Sequence, residues 1–550
     1  MGKGHSHSVS ACGLLLGTVC FAVALTPSLL PRSFLTQGVI SGSSLTAGYG
    51  IGVLGRWLWI YLELPQPKGR RLRVAMLAAG MAAAVLAAIF LWRAAEWQNS
   101  IRVLMGLQLV DTAYPLEVAL IALATFAILA ALARLFRLTF RFVAISANRV
   151  LSSRVSNLIA VITAVALFWS VIDGVLFRIA LRVAAASFQE YDELIEAETE
   201  KPTNPLKTGS SASLLAWDKL GRAGREFVSS GPNREDISAF SGRAALEPVR
   251  VYVGLRASDK VEQRARLALD ELKRVGGFER SVLLVVTPTG TGWVDPAALD
   301  SVEYLHDGAV ASVALQYSYL ASWLYLLIEP GYGADAARAL FKEIYGYWIT
   351  LPKGRRPKLY LHGLSLGALH SEQSTDLIEV IGDPFAGALW SGPPNSSRLW
   401  RFLTDARNPG TPAWLPQFRD GSFVRFLNQN GEAAGPVAAA RAAWGSMRVV
   451  YLQYASDPVT FFEYRSLYRE PDWIRPPRGP DVSAQLRWYP VVTFLQLAMD
   501  KFMATSAPIG YGHVYAPAHY IDAWIEVTDV RGWSPEQIMR LKQHLSKPGP

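Results

Sequence analysis

At 550 residues the chain is long enough for two domains, and its hydrophobic residues, 51% of the total, are spread unevenly along it. The net charge of +9 has the sign that nucleic acids attract, but much of the basic excess lies in two short loops between apolar stretches. Basic loops in that setting suit anionic lipid headgroups better than nucleic acid. Composition therefore argues against a nucleic-acid partner and predicts a chain that is partly embedded in a membrane.

Five apolar stretches in the first third are long enough to cross a bilayer as helices, because a hydrocarbon core of about 30 Å takes about 20 residues. They are residues 9–30, 39–62, 74–92, 115–132 and 158–179. Any one of them also suits a buried core helix, but a series with so little charge favours membrane spans. The sequence predicts an α-helical transmembrane domain of about five spans over residues 1–183.

Basic residues in the connecting loops predict the orientation of these spans, because cytoplasmic loops carry the excess of Lys and Arg. The basic residues are Lys68, Arg70, Arg71 and Arg73 in the second link and Arg134, Arg137, Arg141, Arg149 and Arg154 in the fourth. With five spans, both links are cytoplasmic only if the N-terminus is inside. The region after Ile179 is then expected to be extracytoplasmic.

The composition becomes acidic and polar over residues 189–205, where two prolines also occur. We interpret residues 184–245 as a linker and packing segment. Residues 210–228 within it mix apolar, small and charged side chains, a pattern compatible with packing on the following domain or on the membrane surface.

Short apolar runs alternate with helical patterns beyond residue 246. The runs are residues 249–253, 281–287, 309–315, 358–362, 386–390 and 447–454, and clear helical patterns cover 261–275 and 334–348. Near-continuous hydrophobic strands alternating with helices predict a mostly parallel sheet, and hence an α/β-hydrolase domain over residues 246–550.

Two insertions interrupt this alternation, at residues 395–443 and 461–506. The second contains an apolar and aromatic stretch at 488–499. That stretch suits a core helix, and it equally suits a lid over an acyl-chain groove or a segment that dips into the lipid surface.

A Gly-x-Ser-x-Gly pentapeptide with Ser365 at its centre follows the fourth run and precedes a helical pattern. In a nucleophile elbow the serine occupies a tight strand-to-helix turn, and small residues on either side let strand and helix pass closely. Gly363 and Gly367 meet that requirement. We predict that Ser365 is a nucleophile and that the Leu366 amide faces the developing oxyanion.

The loop after residues 281–287 is a candidate for the second oxyanion donor. If the strand at 358 is the fifth of an α/β-hydrolase sheet, the strand at 281 is the third, and the loop that follows it supplies this amide in that fold. Gly290 and Thr291 are the candidate donors. An ordinary glycine-rich turn is the alternative interpretation.

The acid and then the histidine follow the nucleophile along an α/β-hydrolase chain. Asp457 comes directly after the strand at 447–454, where a carboxylate can orient a histidine ring. Asp383 is the rival acid, but it precedes a strand. His513 lies in a glycine-flanked loop and is the predicted base, ahead of His519 and His544.

These roles imply a two-step acyl transfer, in which Ser365 attacks an ester carbonyl, His513 takes its proton and water later releases the acyl group. His362 and His370, on either side of the elbow, are expected to be packed residues. The mechanism requires no metal and no organic cofactor, and the C-terminal half has no His-x-x-x-His spacing and no cysteine.

Four segments, residues 25–32, 251–255, 288–296 and 316–320, resemble a bacterial family of membrane-bound α/β-hydrolases that join a multi-span N-terminal domain to a C-terminal hydrolase domain. The resemblance covers nearly the whole chain and matches the family's nucleophile, acid and histidine to Ser365, Asp457 and His513. One departure is Leu364, where the family has an acidic residue; it bears on substrate identity and leaves the hydrolase interpretation intact.

The resemblance implies ester hydrolysis at the outer face of the bacterial cytoplasmic membrane. Aminoacylated phospholipids or diacylglycerols are one implied substrate type, and ordinary acyl-lipids are another. Two other functions fit the same residues: an acyltransferase that uses the same acyl-serine, and a non-catalytic scaffold. The sequence predicts no oligomeric state.

Overall fold

The computed structural model describes residues 10–65, 69–149, 152–169, 192, 200–320, 331–430 and 442–547. The chain forms two compact units. The first comprises Met1–Ala184, Phe462–Arg475 and Pro480–Met503, and the second comprises Ala185–Phe461, Pro476–Gly479 and Ala504–Pro550. We call them the helical unit and the α/β unit. Part of the C-terminal half thus belongs to the helical unit, whereas the predicted domains are contiguous stretches.

The described α-helices are α1 (Ala11–Val23), α2 (Phe34–Tyr61), α3 (Arg70–Arg102), α4 (Pro115–Ala147), α5 (Ser153–Trp169), α6 (Gly221–Ser229), α7 (Arg234–Ser241), α8 (Val261–Arg274), α9 (Pro296–Leu305), α10 (Tyr332–Trp348), α11 (Leu366–Glu372), α12 (Leu377–Val380), α13 (Arg398–Asp405), α14 (Pro458–Phe461), α15 (Val492–Phe502), α16 (Pro517–Val527) and α17 (Pro535–Leu545). The strands are β1 (Val249–Val253), β2 (Val282–Thr287), β3 (Val310–Leu315), β4 (Lys358–Leu364), β5 (Gly387–Ser391), β6 (Val424–Leu427) and β7 (Arg448–Leu452).

Glycines bring the backbones of the helical unit close together. A Cβ on Gly17 of α1 would lie 2.8 Å from the Leu45 carbonyl oxygen of α2, and one on Gly42 of α2 would lie 2.5 Å from the Ala122 carbonyl oxygen of α4. Contacts of this kind between small residues are typical of membrane helix pairs.

Among the described residues, two helices, Leu72–Arg102 and Pro115–Ala147, are long and apolar enough to cross a membrane. The number differs from the predicted five. Helix α1 has only 13 residues because the chain turns irregular before Pro27, and at 1.5 Å per residue it covers about 20 Å. Helix α2 is long, but its glycines, serines and threonines lower its hydropathy. Residues 170–179 of the predicted fifth span, Lys68 and residues 189–199 lie outside the described residues, except for Asp192.

Helix α15 lies in the core of the helical unit and resolves the alternatives left open for residues 488–499. Val492 is 1% exposed and packs with Ala24 and Ile40, with Met499 at the edge of the same cluster. The core-helix interpretation is therefore the one that the structure supports.

The α/β unit contains a parallel sheet with strand order β1-β3-β2-β4-β5-β7-β6. All six predicted strands are present, and the predicted α/β fold is confirmed. The edge strand β6 was not predicted, because its four residues fall in the segment interpreted as an insertion. Residues 431–441 of that segment lie outside the described residues.

The register of the sheet aligns the carboxyl ends of four strands. Thr287 of β2 is paired with Gly363 of β4, Leu364 of β4 with Ser391 of β5, and Ser391 with Leu452 of β7. The loops that leave these strands therefore start side by side at one edge of the sheet.

The segment before the sheet packs on it. Gly224 of α6 has no room for a side chain, because a Cβ there would lie 2.4 Å from the Tyr252 ring of β1. The rings of Phe227 and Tyr252 are 5.6 Å apart. Of the two alternatives for residues 210–228, the structure supports packing on the sheet.

Candidate active site

Ser365 occupies a strained turn between β4 and α11. Its backbone has φ 59° and ψ −123°, a region that side-chain-bearing residues rarely adopt and that costs about 1–3 kcal/mol. The Ser365 amide donates to the Ser391 carbonyl on β5 at 2.9 Å, which helps to hold the turn. The residue is 8% exposed.

The two glycines of the pentapeptide are required by this turn. A Cβ on Gly363 would lie 2.4 Å from the Gly367 carbonyl carbon, and one on Gly367 would lie 2.2 Å from the Thr287 carbonyl oxygen. Strand, helix and the loop after β2 thus meet at van der Waals distance around Ser365. The strand–turn–helix geometry expected of a nucleophile elbow is present.

Leu366 is the first residue of α11, so its amide is among those that have no partner within the helix. In the loop after β2, the Thr289 amide donates to the Trp293 carbonyl at 2.9 Å and the Gly292 amide to the Thr289 carbonyl at 3.0 Å. The Gly290 and Thr291 amides donate to no backbone carbonyl of the described chain. Their role as oxyanion donors, like that of Leu366, stays a prediction.

Asp457 follows β7 and is fully buried. Its Oδ1 accepts from the Val459 amide at 2.8 Å, at the start of α14. Its Oδ2 accepts from His513 Nδ1 at 2.7 Å and from the Tyr515 hydroxyl at 2.8 Å. A buried carboxylate needs such donors, because an unsatisfied buried charge is strongly unfavourable.

His513 is fixed by contacts at both its backbone and its ring. Its amide donates to the Ala504 carbonyl at 3.2 Å, and the neighbouring Gly512 amide donates to Ser456 Oγ at 2.9 Å. Since Nδ1 donates to Asp457, Nε2 is the ring's acceptor nitrogen. Nε2 is buried and has no hydrogen-bond partner in the described part of the chain.

The dipeptide Ser391–Gly392 contacts both Ser365 and His513. Ser391 accepts the Ser365 amide, and a Cβ on Gly392 would lie 2.7 Å from His513 Cε1. The next nearest ring atom to that Cβ position is Nδ1 at 2.9 Å, so the imidazole packs against this dipeptide. The structure thus brings Ser365, Asp457 and His513 to one edge of the sheet.

The rival acid and bases have other contacts. Asp383 accepts from Arg356 at 2.5 Å and precedes β5, at the opposite edge of the sheet. His519 Nδ1 is 2.6 Å from the Tyr454 hydroxyl, and His544 Nε2 is 3.3 Å from the Tyr304 hydroxyl. None of these three residues contacts Asp457 within the described residues.

The histidines beside the elbow are packed, as expected. His362 Nδ1 lies 2.9 Å from the Leu389 carbonyl oxygen, and the His370 ring meets the Tyr317 ring edge to face, with centroids 5.4 Å apart. Burial lowers the pKa of each imidazole to about 4. Both are therefore neutral at physiological pH.

Sequence reasoning missed two residues that shape the site. Tyr515 donates to Asp457 and stacks on Tyr454, with ring centroids 4.4 Å apart. The sequence feature that could have identified Tyr515 is its position two residues after His513. Gly392 has φ +50°. The sequence did not single it out, because the Ser-Gly-Pro-Pro stretch around it is typical of any turn.

We expect Gly392→Ala to lower kcat by about 100-fold, because the new methyl group would displace the His513 ring by a fraction of an ångström to an ångström. Ester turnover by purified protein measures this. Gly410→Ala is the matched control, since Gly410 has φ +85° but no atom within 4 Å of its Cβ position. Equal rates for the two variants would contradict the assignment of Gly392 to the site.

We expect Tyr515→Phe to lower kcat by about 10-fold and stability by about 2 kcal/mol, because Asp457 loses a charge-assisted hydrogen bond. Steady-state kinetics and thermal unfolding measure the two effects. Tyr304→Phe removes a hydroxyl whose contact is with His544, away from the site, and should leave kcat unchanged. A Tyr515→Phe protein with wild-type kcat would show that this hydroxyl is dispensable.

Acidification should destabilise the protein through His362. Its folded pKa is about 4 against an ordinary 6.5, so the unfolded chain binds a proton first and stability falls as pH drops from 6.5 to 4. The free energy of unfolding falls by about 3 kcal/mol over this range, because the pKa differs between the folded and unfolded states. His362→Asn, which keeps a donor near the Leu389 carbonyl, should reduce the pH dependence of the urea midpoint, whereas exposed His544→Gln should not. If the urea midpoint of His362→Asn depends on pH as steeply as that of the wild type, His362 is not a source of the acid destabilisation.

Comparison with known proteins places this geometry in a family. The model of an alpha/beta-hydrolase family matches residues 249–541, and the model of that family's N-terminus matches residues 25–232. No curated protein and no solved structure matches the chain. Because the first match alone covers more than half of the 550 residues and the fold agrees with it, the chain belongs to this alpha/beta-hydrolase family, a membership that supports a hydrolase activity.

Proposed function

We propose that the protein is a membrane-anchored serine esterase that cleaves a lipid ester through an acyl-serine intermediate. The observation that carries the proposal is the buried Asp457–His513 pair, whose imidazole packs against the dipeptide that holds Ser365 and whose Nε2 is unpartnered among the described residues. This is the arrangement that a general base needs before it takes a serine proton.

In the proposed reaction, Ser365 Oγ attacks the ester carbonyl while His513 Nε2 takes the hydroxyl proton. Asp457 keeps the ring in the Nδ1–H tautomer and stabilises the imidazolium that forms. The amides of Leu366, Gly290 and Thr291 donate to the oxyanion. His513 then protonates the leaving alcohol, and a water activated by the same ring releases the acyl group.

The surface of the helical unit supports membrane anchoring. Large apolar side chains stand exposed along α3 and α4, including Leu77 at 67%, Met81 at 64%, Leu116 at 76% and Leu120 at 67%. A water-facing surface rarely carries a continuous apolar band of this kind, whereas a lipid-facing surface requires one.

Aromatic side chains mark an end of this apolar surface. Trp57, Trp59 and Tyr61, at the end of α2, are 57%, 48% and 69% exposed, as in the belts at membrane interfaces. The orientation depends on the fifth predicted crossing, residues 158–179, part of which lies outside the described residues. With that crossing and the basic links on the cytoplasmic side, the α/β unit faces the outside of a bacterial cytoplasmic membrane. A lipid ester is then the substrate that a tethered hydrolase meets at the highest local concentration.

A fluorophosphonate probe tests the chemistry. We expect labelling of the full-length protein in detergent or liposomes, none for Ser365→Ala, and a rate lower by about 1,000-fold for His513→Gln, because the base is lost. Ser238→Ala, on α7 outside the site, is the serine control. Labelling that persists in Ser365→Ala would reject the nucleophile.

The products identify the reaction. Liposomes that contain defined lipid esters, both aminoacylated and ordinary, should release an acid and an alcohol in a Ser365-dependent manner. An added alcohol acceptor separates hydrolysis from acyl transfer, because a transferase would form the new ester in preference to the free acid. Absence of product from every ester, in protein that still reacts with the probe, would reject the lipid-ester substrate.

A further inference from the structure

The loop that follows β2, residues 288–295, starts against the nucleophile elbow. A Cβ on Gly367 would lie 2.2 Å from the Thr287 carbonyl oxygen and 3.0 Å from the Pro288 carbonyl oxygen. The sheet register sets this contact, because Thr287 is the last residue of β2 and pairs with Gly363 of β4. This end of the loop is therefore held by α11 and cannot shift towards it.

The other end of the loop lies against β1. The Tyr252 hydroxyl donates to the Gly292 carbonyl at 2.7 Å, and a Cβ on Gly292 would lie 2.5 Å from the same hydroxyl oxygen. Gly292 has φ +85°, so conformation as well as space favours glycine there. Since β3 separates β1 from β2 in the sheet, the loop crosses the end of β3 to make this contact. Gly290 and Thr291 lie between the two points at which the loop is held.

Tyr252 is a well-fixed donor. The side chain is 0% exposed, and its ring packs on Phe227 and against the backbone at Gly224. Burial raises the pKa of the Tyr252 hydroxyl well above its ordinary value, so the group stays protonated and able to donate. A buried carbonyl that lost this donor would be left unsatisfied, which makes the contact with the loop strongly preferred.

Gln316 supports the same end of the loop. It directly follows β3 and is 1% exposed. Its amide donates to the Val253 carbonyl at 2.9 Å, and its Oε1 accepts from the Leu255 amide at 3.1 Å, so β1 and the turn after it fix the side chain. A Cβ on Gly292 would lie 2.9 Å from Gln316 Cγ. The loop thus rests on a wall of two buried side chains, and only Tyr252 donates to its backbone.

We propose that Tyr252 is a positioning residue that aims the Gly290 and Thr291 amides at the oxyanion. A glycine-rich loop without such contacts would have to be ordered during the reaction, whereas a loop held at both ends presents its amides already oriented. Tyr252 acts through the Gly292 carbonyl. This inference rests on the proposed function, because an oxyanion forms only if Ser365 attacks an ester carbonyl.

Tyr252→Phe tests the proposal, because it removes the hydroxyl and keeps the ring that packs on Phe227. In folded full-length protein in detergent, with 4-nitrophenyl butyrate as substrate, we expect kcat to fall by about 10-fold with KM nearly unchanged, because misaimed amides weaken binding of the transition state alone. The rate of fluorophosphonate labelling should fall in parallel, since the phosphonyl oxygen occupies the same donors.

The matching thionoester, 4-nitrophenyl thionobutyrate, shows whether the loss arises at the oxyanion. Its carbonyl oxygen is replaced by sulfur, a weaker hydrogen-bond acceptor that gains less from the loop amides. The ratio of the ester rate to the thionoester rate should therefore fall by up to about 10-fold in Tyr252→Phe. A displaced base would slow both substrates equally and leave the ratio unchanged.

Tyr345→Phe is the matched control. The buried Tyr345 hydroxyl also donates to a loop carbonyl, that of Asp383 at 2.8 Å, but at the opposite edge of the sheet. We expect this variant to unfold at lower temperature while its folded fraction keeps the wild-type kcat, rate ratio and labelling rate. Size-exclusion elution and thermal unfolding in detergent establish the folded fraction of every variant.

Folded Tyr252→Phe with wild-type kcat and labelling rate would overturn the proposal, and so would a lower kcat at an unchanged rate ratio. If the ester pair is not turned over, the labelling rate decides in the same way. If Tyr252→Phe does not fold, Gly292→Ala decides by the same readouts, because its methyl group would overlap the Tyr252 hydroxyl and displace the loop.

The two hypotheses fail separately. Labelling that survives Ser365→Ala rejects the proposed function, whereas Ser365-dependent labelling at the wild-type rate in Tyr252→Phe rejects only this inference.

Discussion

The hydrogen bond between His513 and the buried carboxylate of Asp457 is the interaction on which the candidate site depends. With no exposure to water, the carboxylate is stable only while protein donors surround it. One oxygen faces the start of α14, and the other receives His513 and Tyr515. The need to satisfy one buried charge therefore fixes the tautomer of the imidazole and leaves its second nitrogen as an acceptor, as the proposed base requires.

The parallel sheet makes this arrangement possible. Register between β2, β4, β5 and β7 places four loops side by side, and one loop cannot move without meeting the next. Glycines at 363, 367 and 392 occupy the points of closest approach, where a methyl group would overlap backbone or the His513 ring. The strain at Ser365 persists because these neighbours overdetermine its backbone.

Much of this could be predicted from the sequence because its signals are local. A buried parallel strand is a short apolar run, and a nucleophile elbow is five residues with two glycines, so β1 to β5, β7 and the turn at Ser365 were identifiable. Strand β6 was not predicted, because a run of four residues at a sheet edge is too short to show a strand pattern. The carbonyl of Ser391 and the contact of Gly392 with His513 depend on register, which a single sequence does not display.

The division into units was harder to predict for the same reason. Asp500 and Arg32 form a buried ion pair in the helical unit although they are 468 positions apart, and nothing in the local pattern of either residue indicates the other. The apolar run around Val492 is equally compatible with a core helix, a lid or a lipid-contacting segment, because apolar side chains suit all three environments. The predicted number of spans differs because α1 ends after 13 residues and because glycines, serines and threonines lower the hydropathy of α2. The close helix packing that glycines such as Gly17 and Gly42 allow is a tertiary contact.

A buried ion pair in a unit with an apolar exterior is an unfavourable way to gain stability, because apolar residues of similar volume would pack there without desolvating two charges. Its advantage is specificity, since one arginine and one carboxylate meet in one geometry while apolar surfaces slide. Helix α15 arrives from the far end of the chain, between the predicted acid and the predicted base, and an apolar helix in that place would have no defined register. The charged pair supplies the register of α15 within the helical unit.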